Sequence, residues 1–337
     1  MAPSDEVPGS AAPPMLAVYL PMMRAAAVLA AGELGLFAAL GKRTLSPAAL
    51  AKALRADVHG VRRLADVLVA GGWLVRRHGG YANRPATRRW LTAGGEVDFT
   101  AGLAWTREAW RLLPELAAAI RRGGPSMRLW DRMARTPAMG KRFAAYMRAF
   151  AELTSPILAK SVQLPRGARR LLDLGGSHGL HAIAFCRAHP GLAAVVFDQR
   201  VSLATTPALI REHGMRGRIT TQAGDCVRDP IGSGYDVILY FSVAHNQSER
   251  ANRKVLAKCA AALNPGGLLV IHDYVRGRLP EPYAASFDLT LLLEVGHRTY
   301  DLPTFRRWLR DAGLVRCRHV PLAPAGLGSL LVSYRRR

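Results

Sequence analysis

From residue 166 onward, short apolar runs of β type alternate with helical stretches, and this alternation limits the possible folds more than any other feature. The runs are Leu171–Leu174, Val195–Phe197, Ile219–Thr221, Val237–Phe241 and Leu268–Ile271. Strands separated by helices build a parallel sheet covered on both faces. Near the end, His319–Leu322 and Leu330–Tyr334 flank the turn-rich Ala323–Gly328, so the sheet is expected to finish in an antiparallel hairpin. Residues 166–337 are therefore read as a Rossmann-like α/β domain.

The first of these strands runs straight into glycines, in Leu171-Leu172-Asp173-Leu174-Gly175-Gly176-Ser177-His178-Gly179, with a helix expected from Leu180. Gly175, Gly176 and Gly179 allow the backbone to approach a ligand closely. Asp198 ends the next strand, where it can accept hydrogen bonds from ribose hydroxyls. The loop lacks the GxGxxG spacing of dinucleotide sites. Asp173 beside the glycines suits a cation better than a pyrophosphate, and S-adenosylmethionine carries both an ammonium and a sulfonium. Gly224 and Asp225, after the third strand, offer an acceptor for the exocyclic amine of adenine, and Phe241 closes the fourth strand at the same cofactor site. The rival reading makes these carboxylates mere caps of turns. Three of them after three successive strands favour the nucleoside.

His245 follows the fourth strand directly, in Phe241-Ser242-Val243-Ala244-His245-Asn246-Gln247. Open α/β sheets bind ligands at the carboxyl ends of their strands, so topology puts His245 at the site. A neutral imidazole can take a proton from a hydroxyl near neutrality. Asp273 follows the fifth strand and can orient the ring from the same rim. No carboxylate cluster is suited to magnesium, and no metal is expected.

The first half reads as helical. Met22–Leu40 is apolar on more than one face and is expected as a helix buried nearly all round, at a dimer contact. Over the wider apolar stretch Met15–Leu40, Pro21, Arg24 and Glu33 argue against a membrane span. Ser46 and Pro47 open a helix with Leu50 and Leu54 on one face. A second helix carries Val61, Leu64 and Leu68 and stops at Gly71–Gly72. Trp73–Val75, Gly79–Gly80 and Tyr81 then suggest a short hairpin, and helix, helix, hairpin is the order of a winged helix. The expected organisation is a disordered tail over 1–14, a winged-helix-like domain over 15–100, linking and substrate-capping helices over 101–165, and the α/β domain.

Half of the 337 residues are hydrophobic and 21% are charged, which fits a globular chain and excludes a disordered one. The net charge of +23 comes from scattered basic residues, as expected of solvated faces, and no nucleic-acid partner is inferred from it. Cys186, Cys226, Cys259 and Cys317 stand far apart with no CxxC pair. That spacing leaves out an ordinary zinc site and fits a reducing cytoplasm.

These motifs together resemble the O-methyltransferases that include plant caffeate and hydroxyindole enzymes and bacterial antibiotic and pigment enzymes. Glu33-Leu34-Gly35-Leu36-Phe37 and Ser46-Pro47-Ala48-Ala49-Leu50-Ala51 resemble the family's dimerisation domain. Arg142-Phe143-Ala144-Ala145-Tyr146-Met147 resembles its substrate-closing helix, and Asn264-Pro265-Gly266-Gly267 the turn before its fifth strand. Arg298–Gly313 resembles the segment leading into the last helix. The resemblance implies a class I methyltransferase fold, a homodimer, S-adenosylmethionine as cofactor and a small hydroxylated aromatic or polyketide-like substrate of secondary metabolism. It makes His245 the base, Asp273 its positioning carboxylate, Asp198 the ribose ligand and Asp225 the adenine-side ligand. Trp105, Phe143, Met147, Phe287 and His297 become candidates for the substrate pocket, each equally explained as core packing.

Three departures stand out. His245-Asn246-Gln247 replaces the family's usual His-Asp-Trp, and Cys226 stands where an aromatic residue often faces adenine. A second family glutamate falls on Glu294 or His297. These departures keep open chemistry other than methyl transfer, and methylation at nitrogen or carbon. A DNA-binding regulator, with Arg62, Arg63, Arg76, Arg77 and His78 meeting phosphates, is the rival from another class.

Overall fold

The computed structural model describes residues 14–92, 98–278, 280–322 and 328–337. The tail expected over 1–14 and the turn expected over 323–328 lie outside these residues except for Pro14 and Gly328. Contacts divide the chain into two units, 1–111 and 112–337. The helices expected to link the halves over 101–165 are divided as well: Thr100–Trp110 belongs to the first unit, and those from Leu116 onward to the second.

Local signals shape the first unit. Ser46 Oγ accepts the Ala49 amide at 3.2 Å to start the helix Pro47–Leu54, and Asp57 caps Val58–Ala70 through Gly60 at 2.8 Å. Strands β1 (Leu74–Arg77) and β2 (Gly80–Asn83) pair antiparallel around His78 and Gly79, whose φ of 45° and 72° match the twist of a two-residue hairpin. Val61, Ala65 and Leu68 pack with Phe37, Leu40, Leu50, Leu74 and Tyr81 into one core. Ser46→Ala should lower the unfolding free energy by about 1 kcal/mol, the usual worth of an N-cap. An unchanged melting curve would show that this cap contributes nothing.

The segment ahead of this core, expected as one helix over Met22–Leu40, is two helices, Pro14–Glu33 and Leu36–Leu40. Within one chain the first is covered on one side only. Val28 and Ala31 face the core, but Met15 is 74% exposed and Val18 69%. Apolar residues circle this helix completely, whereas one small unit can cover only one of its sides. By length and composition alone, Met15–Glu33 is also apolar enough to cross a membrane.

The second unit is organised by a seven-stranded sheet. Its strands are β3 (Arg170–Leu174), β4 (Ala193–Asp198), β5 (Ile219–Ala223), β6 (Tyr235–Phe241), β7 (Leu263–Asp273), β8 (Leu314–Pro321) and β9 (Ser329–Arg335). The spatial order is β5-β4-β3-β6-β7-β9-β8, parallel from β5 through β7, with β9 antiparallel to both its neighbours. The Asn264–Gly267 segment, expected as a turn before a strand, lies inside β7, where the register against β6 shifts.

Both faces of the central strands are covered, which explains their unbroken apolar runs. Leu171, Val196, Val237 and Leu239 pack on one side, and Leu172, Leu174, Ile238 and Tyr240 on the other, the latter with Trp308. Strands β3 and β6 are neighbours, yet the chain leaves them toward opposite edges of the sheet. Loops that diverge in this way open a crevice at the carboxyl ends of the strands.

Candidate active site

The glycine loop leaves β3 at this crevice, and its shape is set by its own neighbours. Gly175 has φ 79°, and a Cβ there would stand 2.5 Å from Val243 Cγ2. A Cβ on Gly176 would stand 2.5 Å from Asp173 Cγ. The glycines are therefore required by internal packing before any ligand is considered, and Gly179 likewise packs on Thr206. Asp173 is buried under the loop, with Oδ2 accepting the Ala182 amide at 3.2 Å. Its Oδ1 is buried with no hydrogen-bond partner among the described residues. Burial pushes this carboxyl up to about 7. In the loop itself, His178 Nδ1 accepts the Leu180 amide at 3.1 Å, and burial holds the ring neutral by pushing it down to about 4.

The other nucleoside candidates divide into two groups. Asp198 faces the loop: Oδ2 accepts the Ser177 amide at 3.0 Å and Oδ1 the Gln199 amide at 2.6 Å. Burial raises its pKa against these bonds. Gly224 donates to the Asp198 carbonyl at 3.0 Å, which brings the end of β5 alongside. Asp225 Oδ1 accepts from Val227 at 2.7 Å and Arg228 at 3.3 Å, so part of this carboxylate caps its own turn. Cys226 is half-buried, and its carbonyl accepts from Lys258 at 2.7 Å. Phe241 is a core residue, edge-on to His181 at 5.1 Å and to His272 at 5.6 Å.

His245 and Asp273 meet as expected. His245 Nδ1 lies 2.7 Å from Asp273 Oδ1, and the His245 amide donates to Oδ2 at 3.2 Å. Burial opposes the charge on Asp273, but the His245 ring and hydrogen bonds from His245 and Tyr274 together hold it below the usual carboxylate range. An ionised Asp273 fixes the proton on Nδ1 and leaves the Nε2 lone pair for a substrate. The loop that carries the ring is braced from beneath. Tyr240 donates to Asn252 at 2.9 Å, and Asn252 donates to the Ala244 carbonyl at 2.9 Å. Asn246, which departs from the family acid, donates to the Ser242 carbonyl at 3.2 Å and closes the same turn.

The substrate candidates are scattered. Phe287, on the helix Glu281–Glu294, stands edge-on to His245 at 5.5 Å. Phe143 and Met147 share the helix Pro137–Ser161, where Phe143 meets Trp130 at 5.7 Å. His297 lines an open cleft of about 620 Å³ with Ser248, Glu249, Asp288 and Tyr300. Trp105 is buried in the first unit. Sequence reasoning missed Tyr274 and Tyr283, which stand 4.5 Å and 6.0 Å from Phe287. A usable signal was present, since Tyr283 precedes Phe287 by one helical turn and Tyr274 follows Asp273 directly. Of the two candidates for the second family glutamate, Glu294 lies within electrostatic reach of His245, and burial pushes it up to about 7.

Comparison with known proteins bears on the family and the fold. The O-methyltransferase domain family matches residues 114–314, and the O-methyltransferase dimerisation domain matches residues 19–93. The 3-hydroxy-5-methyl-1-naphthoate 3-O-methyltransferase of Streptomyces sahachiroi is 31% identical over 91% of this chain and 90% of its own. The N,N-dimethyltransferase OxyT of Streptomyces rimosus is 29% identical over 74% of each. Human N-acetylserotonin methyltransferase, solved in complex with S-adenosylmethionine, shares the fold with a TM-score of 0.83 over 98% of this chain and 100% of that one, at 20% identity.

Proposed function

The chain belongs to the O-methyltransferase family, and on that premise we propose that it transfers a methyl group from S-adenosylmethionine to a hydroxyl of a small aromatic, polyketide-like molecule. The observation that carries this reading is the His245–Asp273 pair, 2.7 Å apart, on the same strand-end rim as the glycine loop. The naphthoate methylated by the Streptomyces sahachiroi relative supports the substrate class.

The residues present fit the cofactor. Asp173 Oδ1, buried and without a partner among the described residues, suits an ammonium, and Asp198 is poised for ribose hydroxyls. Bound there, S-adenosylmethionine supplies a methyl group made electrophilic by its sulfonium. His245 Nε2 accepts the proton of the substrate hydroxyl, which makes that oxygen the stronger nucleophile. Asp273 then stabilises the imidazolium through Nδ1–H. Phe287 and Tyr274 wall the ring and keep bulk water from it.

The protein works as a homodimer in this reading. The exposed apolar side of Pro14–Glu33 runs into the stretch matched by the dimerisation domain, where Tyr19, Leu20, Met22 and Met23 are exposed, and a second copy would cover it. The helix, helix, hairpin order supports a winged-helix-like reading of this unit, and the free cysteines fit a cytoplasmic setting. Methylation at nitrogen is the second reading, favoured by the likeness to OxyT; there His245 would be dispensable.

Incubation with methyl-labelled S-adenosylmethionine and 3-hydroxy-1-naphthoate should give a labelled aryl ether. Failure to label any of a panel of hydroxynaphthoates and naphthols would overturn the substrate class. Cofactor binding should also release protons. Asp173, held near 7 in the free protein, loses its proton when a cation arrives, so affinity rises as pH rises through that value. At about pH 6 the release approaches roughly one proton, read as binding heat that scales with buffer ionisation enthalpy. Asp173→Asn should remove this dependence; equal heats for the wild type in all buffers would refute the assignment.

A further inference from the structure

The aromatic wall beside His245 carries one group that proton removal does not need. Tyr283 stacks on Phe287 with ring planes 5° apart and centroids 6.0 Å apart, and Phe287 is itself edge-on to His245. Tyr274 packs against both, 4.5 Å from Phe287 and 5.8 Å from Tyr283. The two tyrosines share a hydrogen bond between their hydroxyls. Tyr274 is 8% exposed, whereas Tyr283 is 41% exposed, so Tyr283 presents the hydroxyl that a ligand can reach. Burial raises both phenols above their usual range, so the pair stays protonated at neutral pH.

We propose that Tyr283 is a specificity-determining residue, donating a hydrogen bond to a second oxygen, a carboxylate or carbonyl, on the same planar framework as the hydroxyl that His245 deprotonates. The inference rests on the aromatic O-methylation reading above and narrows its substrate class to hydroxyaryl compounds with such an acceptor. A planar molecule held at two oxygens has one orientation in the site. Tyr283 would thus decide which hydroxyl of a polyhydroxylated substrate reaches Nε2. Tyr274 acts through Tyr283 and is a positioning residue.

The test uses the full-length protein and two probes that differ only in the acceptor, 3-hydroxy-1-naphthoate and 2-naphthol. Equilibrium binding of each is read by fluorescence. The wild type is expected to prefer the naphthoate, and Tyr283→Phe to reduce that preference by about tenfold or more, the scale of one hydrogen bond to a charged group. An unchanged ratio in Tyr283→Phe, whether or not both affinities fall, overturns the inference, as does a wild type with no preference. Either result leaves O-methylation standing. A wild type that binds neither probe and methylates no naphthol instead removes the underlying aromatic-substrate reading, and the inference with it.

Discussion

His245→Ala is expected to slow methyl transfer by about 10²- to 10⁴-fold while leaving the affinity for S-adenosylmethionine unchanged. The expectation follows from how the ring is held. Asp273 takes up Nδ1 at 2.7 Å and the backbone amide at 3.2 Å, so the imidazole has a single orientation and a single basic nitrogen to offer. Removing it takes away the proton acceptor without touching Asp173 or Asp198, which belong to β3 and β4. Asp273→Asn is the companion test. The amide keeps the shape but can no longer demand a proton on Nδ1, so it should also lose most of the rate. Initial rates with labelled donor measure both. Wild-type turnover in His245→Ala would reject the base assignment and favour transfer to nitrogen.

Asp198→Ala should weaken S-adenosylmethionine binding by about 10- to 100-fold, the scale of lost hydrogen bonds to a charged acceptor. Part of that loss is indirect, because Asp198 Oδ2 also accepts the Ser177 amide and steadies the glycine loop. Asp198→Asn separates the two contributions, since its amide oxygen can still accept from Ser177. Calorimetry on both variants, with melting curves to verify folding, gives the answer. A dissociation constant equal to the wild type in Asp198→Ala would refute the ribose assignment.

Much of this fold was legible because local signals and tertiary demand agree. The apolar runs around Leu171, Val237 and Leu268 are strands since both sheet faces are covered, and Ser46 and Gly79 act through nearest neighbours alone. The pairing of His245 with Asp273 was legible for a topological reason, as both leave adjacent parallel strands at the same end. Other features depend on partners distant in sequence. Nothing local to Phe241 says that it turns its edges to His181 and His272, and nothing local to Asp225 says that its own turn would claim one oxygen. The exposure of Met15 and Val18 was illegible for a different reason. Apolar periodicity around a helix measures how much surface wants cover, not whether one chain can supply it.

The crowding around Gly175 and Gly176 bears on how quickly a ligand is captured. A mould cast by Val243 and the Asp173 side chain is finished before anything enters it, so arrival requires no ordering of that segment. Nucleoside association should then be governed by diffusion and by reach into the crevice, with residence time left to the carboxylates.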